Sequence, residues 1–475
     1  MRSQPVSGKY CRASGKRAGI EEKAIAMEKL FGTDGIRGIA NQDPITPEMG
    51  LRLGRAVIHL CRKTGSSSSV VIGRDPRRSG EMLECAIVSG ILSMGGKAYR
   101  LGVLPTPGVA FLTRELGAGA GIMVSASHNP HEYNGFKVFS HEGFKLSDEE
   151  ESEIEGLLIS QTTPPAQGEP GHVEVLGDAG ERYISFLRKT FPERNTLKDM
   201  KIVIDCANGA TFRVAPALFE RLGAQTEALF IGPNGININQ NCGSQHTEAL
   251  RRKVLEAGAD VGLAFDGDGD RLIAVDEQGR ALTGDQILVI CAKMLKEIGG
   301  LESSLVVSTV MSNIGFRIAL ERLGIEQVST QVGDRFVMEE MRARNAILGG
   351  EDSGHIIFLR HHTTGDGLLS ALQLLFAMRL FGDSLSKLAA LMTVFPQALI
   401  NVPVQAKPDI SEVPKVVKAI EIVKRELGSR GRVLVRYSGT EPICRVMVEG
   451  EKQEEAERYA GQIAQVIKNE LNALF

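Results

Sequence analysis

The 475-residue chain is too long for a single hydrophobic core, and three or four domains are the expected division. Its 43% hydrophobic and 24% charged residues are those of an ordinary globular protein, and a net charge of −3 excludes a global field that would draw it to nucleic acid or an anionic membrane. No apolar run is long enough to span a bilayer, and the seven scattered cysteines form neither a CxxC pair nor a Cys/His cluster, which argues against structural zinc and for reduced thiols in a cytoplasmic protein.

Residues 1–26 are rich in Ser, Gly, Lys and Arg and lack the apolar stretch of a secretory signal. They read as a disordered extension outside the fold, with Met27 as an alternative start. The first folded stretch, Phe31-Gly32-Thr33-Asp34-Gly35-Ile36-Arg37-Gly38, has glycines that permit close backbone approach and an arginine, Arg37, that can meet a phosphate. Val70–Asp75 is a strand, followed by a helix near 80–94 and Gly95-Gly96. The apolar Ile122-Met123-Val124 then runs into Ser125-Ala126-Ser127-His128-Asn129-Pro130. A serine presented on such a loop can be a nucleophile; a plain Ser/Asn turn is the competing reading. Asn134-Gly135-Phe136-Lys137 is a tight turn that brings a lysine close in sequence.

After a Pro/Gly-rich linker near 160–172 the strand–helix pattern recurs. Lys201–Asp205 leads to a helix near 211–222 ending at Gly223, and Leu305–Thr309 to a helix near 313–323 ending at Gly324. The two helices share local sequence, Phe212-Arg213 and Glu220–Gly223 against Phe316-Arg317 and Glu321–Gly324. Between these units the strands Val261–Phe265 and Leu272–Val275 flank Asp266-Gly267-Asp268-Gly269-Asp270-Arg271. Three carboxylates spaced two apart repel one another unless a hard cation sits among them, and the glycines let the chain fold tightly enough for them to converge. The flanking strands, and Arg271 where an EF-hand loop needs glycine, exclude an EF-hand. Three carboxylates with coordination positions left open fit a Mg²⁺ that also touches a phosphate oxygen.

The third unit, after a linker near 275–283, contains Gly349-Gly350-Glu351-Asp352-Ser353-Gly354-His355, whose polar groups suit sugar hydroxyls. A linker near 393–398 precedes the last stretch, where a strand at 401–404, a helix near 412–427, paired strands at 432–436 and 444–448 and a helix from about 452 read as α+β. Its loop, Arg436-Tyr437-Ser438-Gly439-Thr440-Glu441-Pro442 with Arg445, offers backbone N–H groups, hydroxyls and two guanidiniums to a phosphate dianion. The expected fold is therefore α/β: three similar domains with mixed, largely parallel sheets at 27–170, 171–278 and 279–393, and a C-terminal α+β domain at 394–475, around a central cleft.

Together, in this order, the Phe-Gly-Thr-Asp-Gly-Ile-Arg-Gly opening, Ser-Ala-Ser-His-Asn-Pro, Asp-Gly-Asp-Gly-Asp-Arg, Gly-Glu-x-Ser-Gly-His and Ser-Gly-Thr-Glu-Pro resemble the α-D-phosphohexomutase family over residues 27–475. Thr363-Thr364-Gly365-Asp366-Gly367 and Arg445–Gly450 make the chain most similar to the family's glucosamine-phosphate members. The resemblance implies interconversion of glucosamine 6-phosphate and glucosamine 1-phosphate, on the route to UDP-N-acetylglucosamine and peptidoglycan, through a phosphoserine enzyme and a hexosamine 1,6-bisphosphate that serves as intermediate or primer. A phosphomannomutase or phosphoglucomutase of the same family is the alternative. By motif, Ser127 would carry the phosphate, with Arg37, His128 and Lys137 lining the transfer site. One Mg²⁺ per chain would be held by Asp266, Asp268, Asp270 and an oxygen on phosphorylated Ser127. Glu351, Ser353 and His355 would face the sugar, while Arg436, Ser438, Gly439, Thr440 and Arg445 would hold the non-reacting phosphate. Asp352 stands where similar mutases often have an amide, which bears on the choice between hexosamine and hexose. His128, Lys137 and His355 are each candidates for the general base. The partner is a hexosamine phosphate, not nucleic acid or a membrane, and a homodimer is left open. A metal-dependent phosphatase and a non-catalytic sugar-phosphate sensor are the readings from other classes.

Overall fold

The computed structural model describes residues 29–32, 34–160, 163–192, 196–438 and 442–472; the N-terminal extension and two of the expected phosphate-loop residues, Gly439 and Thr440, lie outside them. Four sheets carry the described chain. The first has six strands in the order Ile36–Ile39, Tyr133–Ser140, Ala120–Val124, Ser69–Arg74, Lys97–Val103, Val173–Val175. Its first two pairings are antiparallel and the remaining three parallel. The second (Leu272–Asp276, Val261–Phe265, Lys201–Asp205, Gln225–Leu229) and third (Glu326–Thr330, Leu305–Thr309, Leu348–Gly350, Ile356–Phe358) are also parallel with one antiparallel edge strand each. The fourth, Gln397–Pro403, Ile443–Glu449, Arg432–Tyr437, is wholly antiparallel. The mixed, largely parallel α/β architecture with an α+β terminus is as expected.

Two details differ from the sequence reading. The tract at 163–172 does not leave the first domain: Ala166 and Gly171 donate backbone N–H bonds to Ser93 and Leu92, and the chain continues into Val173–Val175 on the sheet edge, past the boundary expected at 170. The helix expected from 211 begins at Val214, because the segment before it is spent on the acidic loop. There Ala210 N–H bonds Gly267 O at 2.8 Å, and Gly209 packs so closely on Gly267 that a Cβ would sit 2.4 Å from its carbonyl oxygen.

The apolar cores show which parts share an interior. One apolar cluster runs from Val71 and Phe139 through Ile202 and Phe265 to Leu320 and Leu375, uniting the first three domains. At its centre Gly367–Phe381 is a helix buried from Gly367 to Met378, apolar on nearly every side as a fully enclosed helix must be. The fourth domain has a separate core, from Ala398 to Leu471. Parallel strands bring their C-terminal ends to one side of each sheet, where loops can converge on a ligand. Among the described residues no helix is long and apolar enough to cross a membrane.

Candidate active site

Ser127 follows the buried strand Ala120–Val124 and adopts a left-handed φ of +51°, a backbone state that a non-glycine residue holds only when its surroundings impose it. Those surroundings are specific. Ser127 N–H donates to Ser125 Oγ at 2.9 Å, and Ser125 Oγ donates to Asp75 Oδ2 at 2.6 Å. Fully buried Arg77 donates to Asp75 Oδ2 (2.8 Å) and to the carbonyls of Ser127 (2.8 Å), Asn129 (2.9 Å), Tyr133 (3.1 Å) and Pro130. From the second domain, Asn239 Nδ2 reaches the same Ser127 and Asn129 carbonyls at 2.9 and 3.1 Å. Arg77→Ala would leave these carbonyls and the Asp75 carboxylate buried with a partner removed. We expect it to cost about 3–5 kcal/mol of stability, read as a lower urea midpoint at unchanged slope.

The clamp sets the Ser127 hydroxyl against the acidic loop: Oγ donates to Asp266 Oδ2 at 2.5 Å and lies 3.3 Å from His128 Nδ1. Asp266, Asp268 and Asp270 are all buried, and one oxygen from each lies within 4.8 Å of the others. Lys137, also buried, projects its ammonium among them, 2.9 Å from Asp268 Oδ2, 2.9 Å from Asp270 Oδ2 and 3.1 Å from Asp34 Oδ2. Asp34 in turn pairs with Arg37 and Lys145, and Lys145 with Asp334. Arg37 Nη1 sits 3.5 Å from Ala126 O and 3.4 Å from Asn129 Oδ1, on the serine loop. Thr106 bonds Asp268 through both its hydroxyl (2.5 Å) and its N–H (2.9 Å).

Charge is divided unequally among these groups. Burial, then the neighbouring Asp270 and Asp268 charges, push Asp266 well above the ordinary carboxylate range. Burial works the same way on Asp270, but Lys137 and then His355 overcome it and hold Asp270 well below that range. Burial opposes the charge on Lys137, yet Asp268, Asp270 and Asp34 keep it firmly protonated, a fixed cation rather than a base. Burial, with Arg271 and Arg37 nearby, lowers His128 to about 4, so its imidazole is neutral near pH 7. His355 is buried as well, but Asp270 and Asp334 more than offset that and raise it; its Nδ1 faces Asp270 Oδ1 at 3.7 Å.

The sugar-loop candidates form the tip of the hairpin Leu348–Gly350/Ile356–Phe358. Glu351 Oε1 accepts from Gly333 N–H at 3.1 Å, and Ser353 is exposed. Asp352 turns away, its Oδ1 accepting from Asp285 N–H (3.3 Å) and its carbonyl from Gly284 N–H (2.9 Å) at the start of the helix Gly284–Glu297. The hairpin is tied to the strand after the acidic loop, Leu272 N–H bonding Gly354 O at 3.0 Å, and the helix Gly367–Phe381 to the loop itself, Gly367 N–H bonding Gly269 O at 3.0 Å. In the fourth domain Arg436 and Arg445 are register partners on adjacent strands. Lys407 Nζ donates to Ser438 O at 2.7 Å, adding a third cation there. Thus Arg37, Ser127, His128, Lys137, the three aspartates and His355 form one connected cluster, with Glu351 and Ser353 on a hairpin beside it and the arginine pair on a separate domain.

Sequence reasoning missed Asp34, Arg77, Thr106, Lys145, Asn239, Asp334 and Lys407. Asp34 stood inside a motif already singled out, and Asn239 in the Asn-rich run 234–241, where Asn tolerates left-handed turns. The others carry no local signal.

Four family models described as phosphoglucomutase/phosphomannomutase alpha/beta/alpha domains I, II and III and C-terminal domain match residues 28–164, 181–279, 283–395 and 399–466. The phosphoglucosamine mutase of Syntrophus aciditrophicus is 55% identical over 448 residues, covering 94% of this chain and 100% of that protein. That of Geobacillus kaustophilus is 52% identical over 448 residues, with coverage of 94% and 99%. Among solved structures, a phosphoglucomutase/phosphomannomutase family protein from Burkholderia thailandensis superposes with a TM-score of 0.77 at 23% identity, covering 93% and 97% of the two chains. The N-acetylphosphoglucosamine mutase of Aspergillus fumigatus, solved with GlcNAc-6P and magnesium, gives a TM-score of 0.67 at 18% identity, covering 93% and 96%.

Proposed function

Because the chain belongs to the phosphoglucomutase/phosphomannomutase family, we propose that it is a phosphoglucosamine mutase, interconverting glucosamine 6-phosphate and glucosamine 1-phosphate. The observation that carries the chemistry is the Ser127 hydroxyl, held 2.5 Å from Asp266 at the edge of a buried cage of three aspartates. The choice of glucosamine rests on relatives of that activity at 50–55% identity over nearly the whole chain.

A divalent cation fits this cage. Asp268 Oδ1 is buried without a hydrogen-bond partner among the described residues, a costly state that a hard ion relieves, and Asp270 Oδ1 has only the distant cationic groups of His355 and Arg271, 3.7 and 3.8 Å away. Asp266, Asp268 and Asp270 would hold Mg²⁺, and an oxygen of phosphorylated Ser127 would join them. When bound, the ion supplies charge neutralisation for the transferring phosphoryl oxygens. The chain's own residues do the rest. In the forward direction the bond between Ser127 Oγ and phosphorus breaks. A bond forms from that phosphorus to the free sugar oxygen, whose proton passes to a nearby base, and the released Ser127 Oγ takes up a proton to become a hydroxyl. The product, a 1,6-bisphosphate, turns end for end. The bond from its other phosphorus to the sugar oxygen then breaks as one to Ser127 Oγ forms; the serine hydroxyl, aimed at Asp266 Oδ2, gives up its proton, and the released sugar oxygen takes one back from the base. Lys137 and Arg37 supply fixed positive charge beside the transferring group, which is where phosphoryl-transfer catalysis mainly lies. Neutral His128, with Nδ1 3.3 Å from Oγ, can accept a proton there, and His355, next to the sugar hairpin, would serve the sugar side. Glu351 and Ser353 would read sugar hydroxyls while Arg436, Ser438 and Arg445 grip the far phosphate. With Asp352 committed to the helix at Gly284, its charge does not bear directly on the sugar.

Steady-state rates on the 6-phosphates of glucosamine, glucose and mannose test the reading. Glucosamine 6-phosphate should lead by about tenfold or more. A lead by glucose or mannose would move the assignment to a sister activity, and stoichiometric release of inorganic phosphate would make the protein a phosphatase.

A further inference from the structure

The fourth domain has its own core, so the seam with the third domain aims its arginines. That seam is polar and is built on residues 310–314. Glu449, fully buried at the end of the strand Ile443–Glu449, accepts from Arg432 Nε (3.1 Å) and Nη2 (3.0 Å) within its own sheet. Its Oε2 also accepts the N–H of Ile314, 2.9 Å away, the first residue of the third-domain helix Ile314–Arg322. Arg432 Nη1 crosses the seam to Val310 O at 2.9 Å. Asn313, which caps that helix, holds the connecting chain at both groups of Phe395, donating to its carbonyl at 2.9 Å and accepting its N–H at 3.0 Å.

The register makes this clamp directional. Arg432 pairs with Glu449 and Arg436 with Arg445, each pair four residues along its strand from the other. With a period of two, both pairs stand on one face of the same hairpin, about 13 Å apart at roughly 3.3 Å per residue. On the third-domain side the bonds continue to the sugar hairpin: Asn313 N–H donates to Asp285 Oδ2 at 2.7 Å, and Asp285 N–H to Asp352 Oδ1 at 3.3 Å. A buried ion pair adds little net stability over apolar packing, but it specifies one geometry.

We propose that Glu449 is a positioning residue that pins the fourth domain to the sugar hairpin, fixing the span between Glu351/Ser353 and Arg436/Arg445. This rests on the mutase reading and adds to it the part that sets how substrate is bridged. Because the far phosphate is gripped in ground and transition states alike, loosening the pin raises KM and spares kcat. Glu449→Gln, which keeps the shape and loses the charge, should raise KM for glucosamine 1-phosphate roughly tenfold with kcat within about twofold. Small-angle scattering without ligand should give a broader distance distribution for the variant than for the unaltered enzyme, as a loosened fourth domain samples more orientations. If Glu449→Gln does not fold, Arg432→Lys, which keeps charge and loses the fork, is read in its place and should shift KM the same way. An unchanged KM, a loss of kcat at constant KM, or identical distance distributions for the folded variant and the unaltered enzyme overturns the proposal while leaving the mutase reading standing. An unaltered enzyme inert on every sugar phosphate overturns both.

Discussion

Ser127→Ala should lose mutase turnover on the order of 10⁴-fold or more, because no neighbouring group can replace a covalent phosphoryl carrier. The folded protein should survive. The hydroxyl contributes one hydrogen bond to Asp266 Oδ2, while the clamp from Arg77 and Asn239 acts on backbone carbonyls that alanine retains. Leaving Asp266 Oδ2 short of a donor should cost about 1–2 kcal/mol. Intact-mass and peptide mapping complete the experiment: the parent enzyme carries phosphate on the peptide with Ser127 after exposure to glucose 1,6-bisphosphate, and the variant carries none. Near-normal steady-state rates in a correctly folded Ser127→Ala protein would remove Ser127 from the reaction.

Asp268→Asn should be nearly as damaging. Asp268 presents Oδ2 to Thr106 and Lys137 and keeps Oδ1 buried and unpartnered, so the lost charge falls on the atom most in need of a cation. Its amide oxygen still accepts, which preserves the Thr106 bond and the local shape. We expect turnover to fall by about 10²–10³-fold, the usual cost of removing one electrostatic partner of the transition state. The Mg²⁺ concentration giving half-maximal rate should rise in parallel, and calorimetric titration of Mn²⁺ or Mg²⁺ into the protein should show weaker binding independent of turnover. Unaltered metal affinity would place the ion elsewhere.

The chemistry-bearing stretches could be read because each is short and its meaning local. Asp266, Asp268 and Asp270 are two apart on a glycine-rich turn, so convergence follows from backbone geometry alone. Ser127 stands at the end of an apolar strand, and Arg436 and Arg445 flank a loop between two strands, so their neighbours are sequence neighbours. Strands and helices with a clear period were likewise legible. The helix Gly367–Phe381, apolar all round, has no contrasting face to give it a period and escaped notice.

What the tertiary structure decided is everything that joins distant segments. Lys137 inside the acid cage, Arg77 and Asn239 closing on the Ser127 carbonyl, and Asp352 turned from the sugar to a helix N-terminus depend on pairings between separate loops. So does the division of cores, in which one apolar cluster runs through all three α/β domains, each of which also keeps a cluster of its own, while the fourth domain's core joins none of them. Local spacing determines which side chains a turn can bring together. Contacts between turns depend on how sheets pack, and that is a property of summed apolar burial across the chain, to which no single motif testifies.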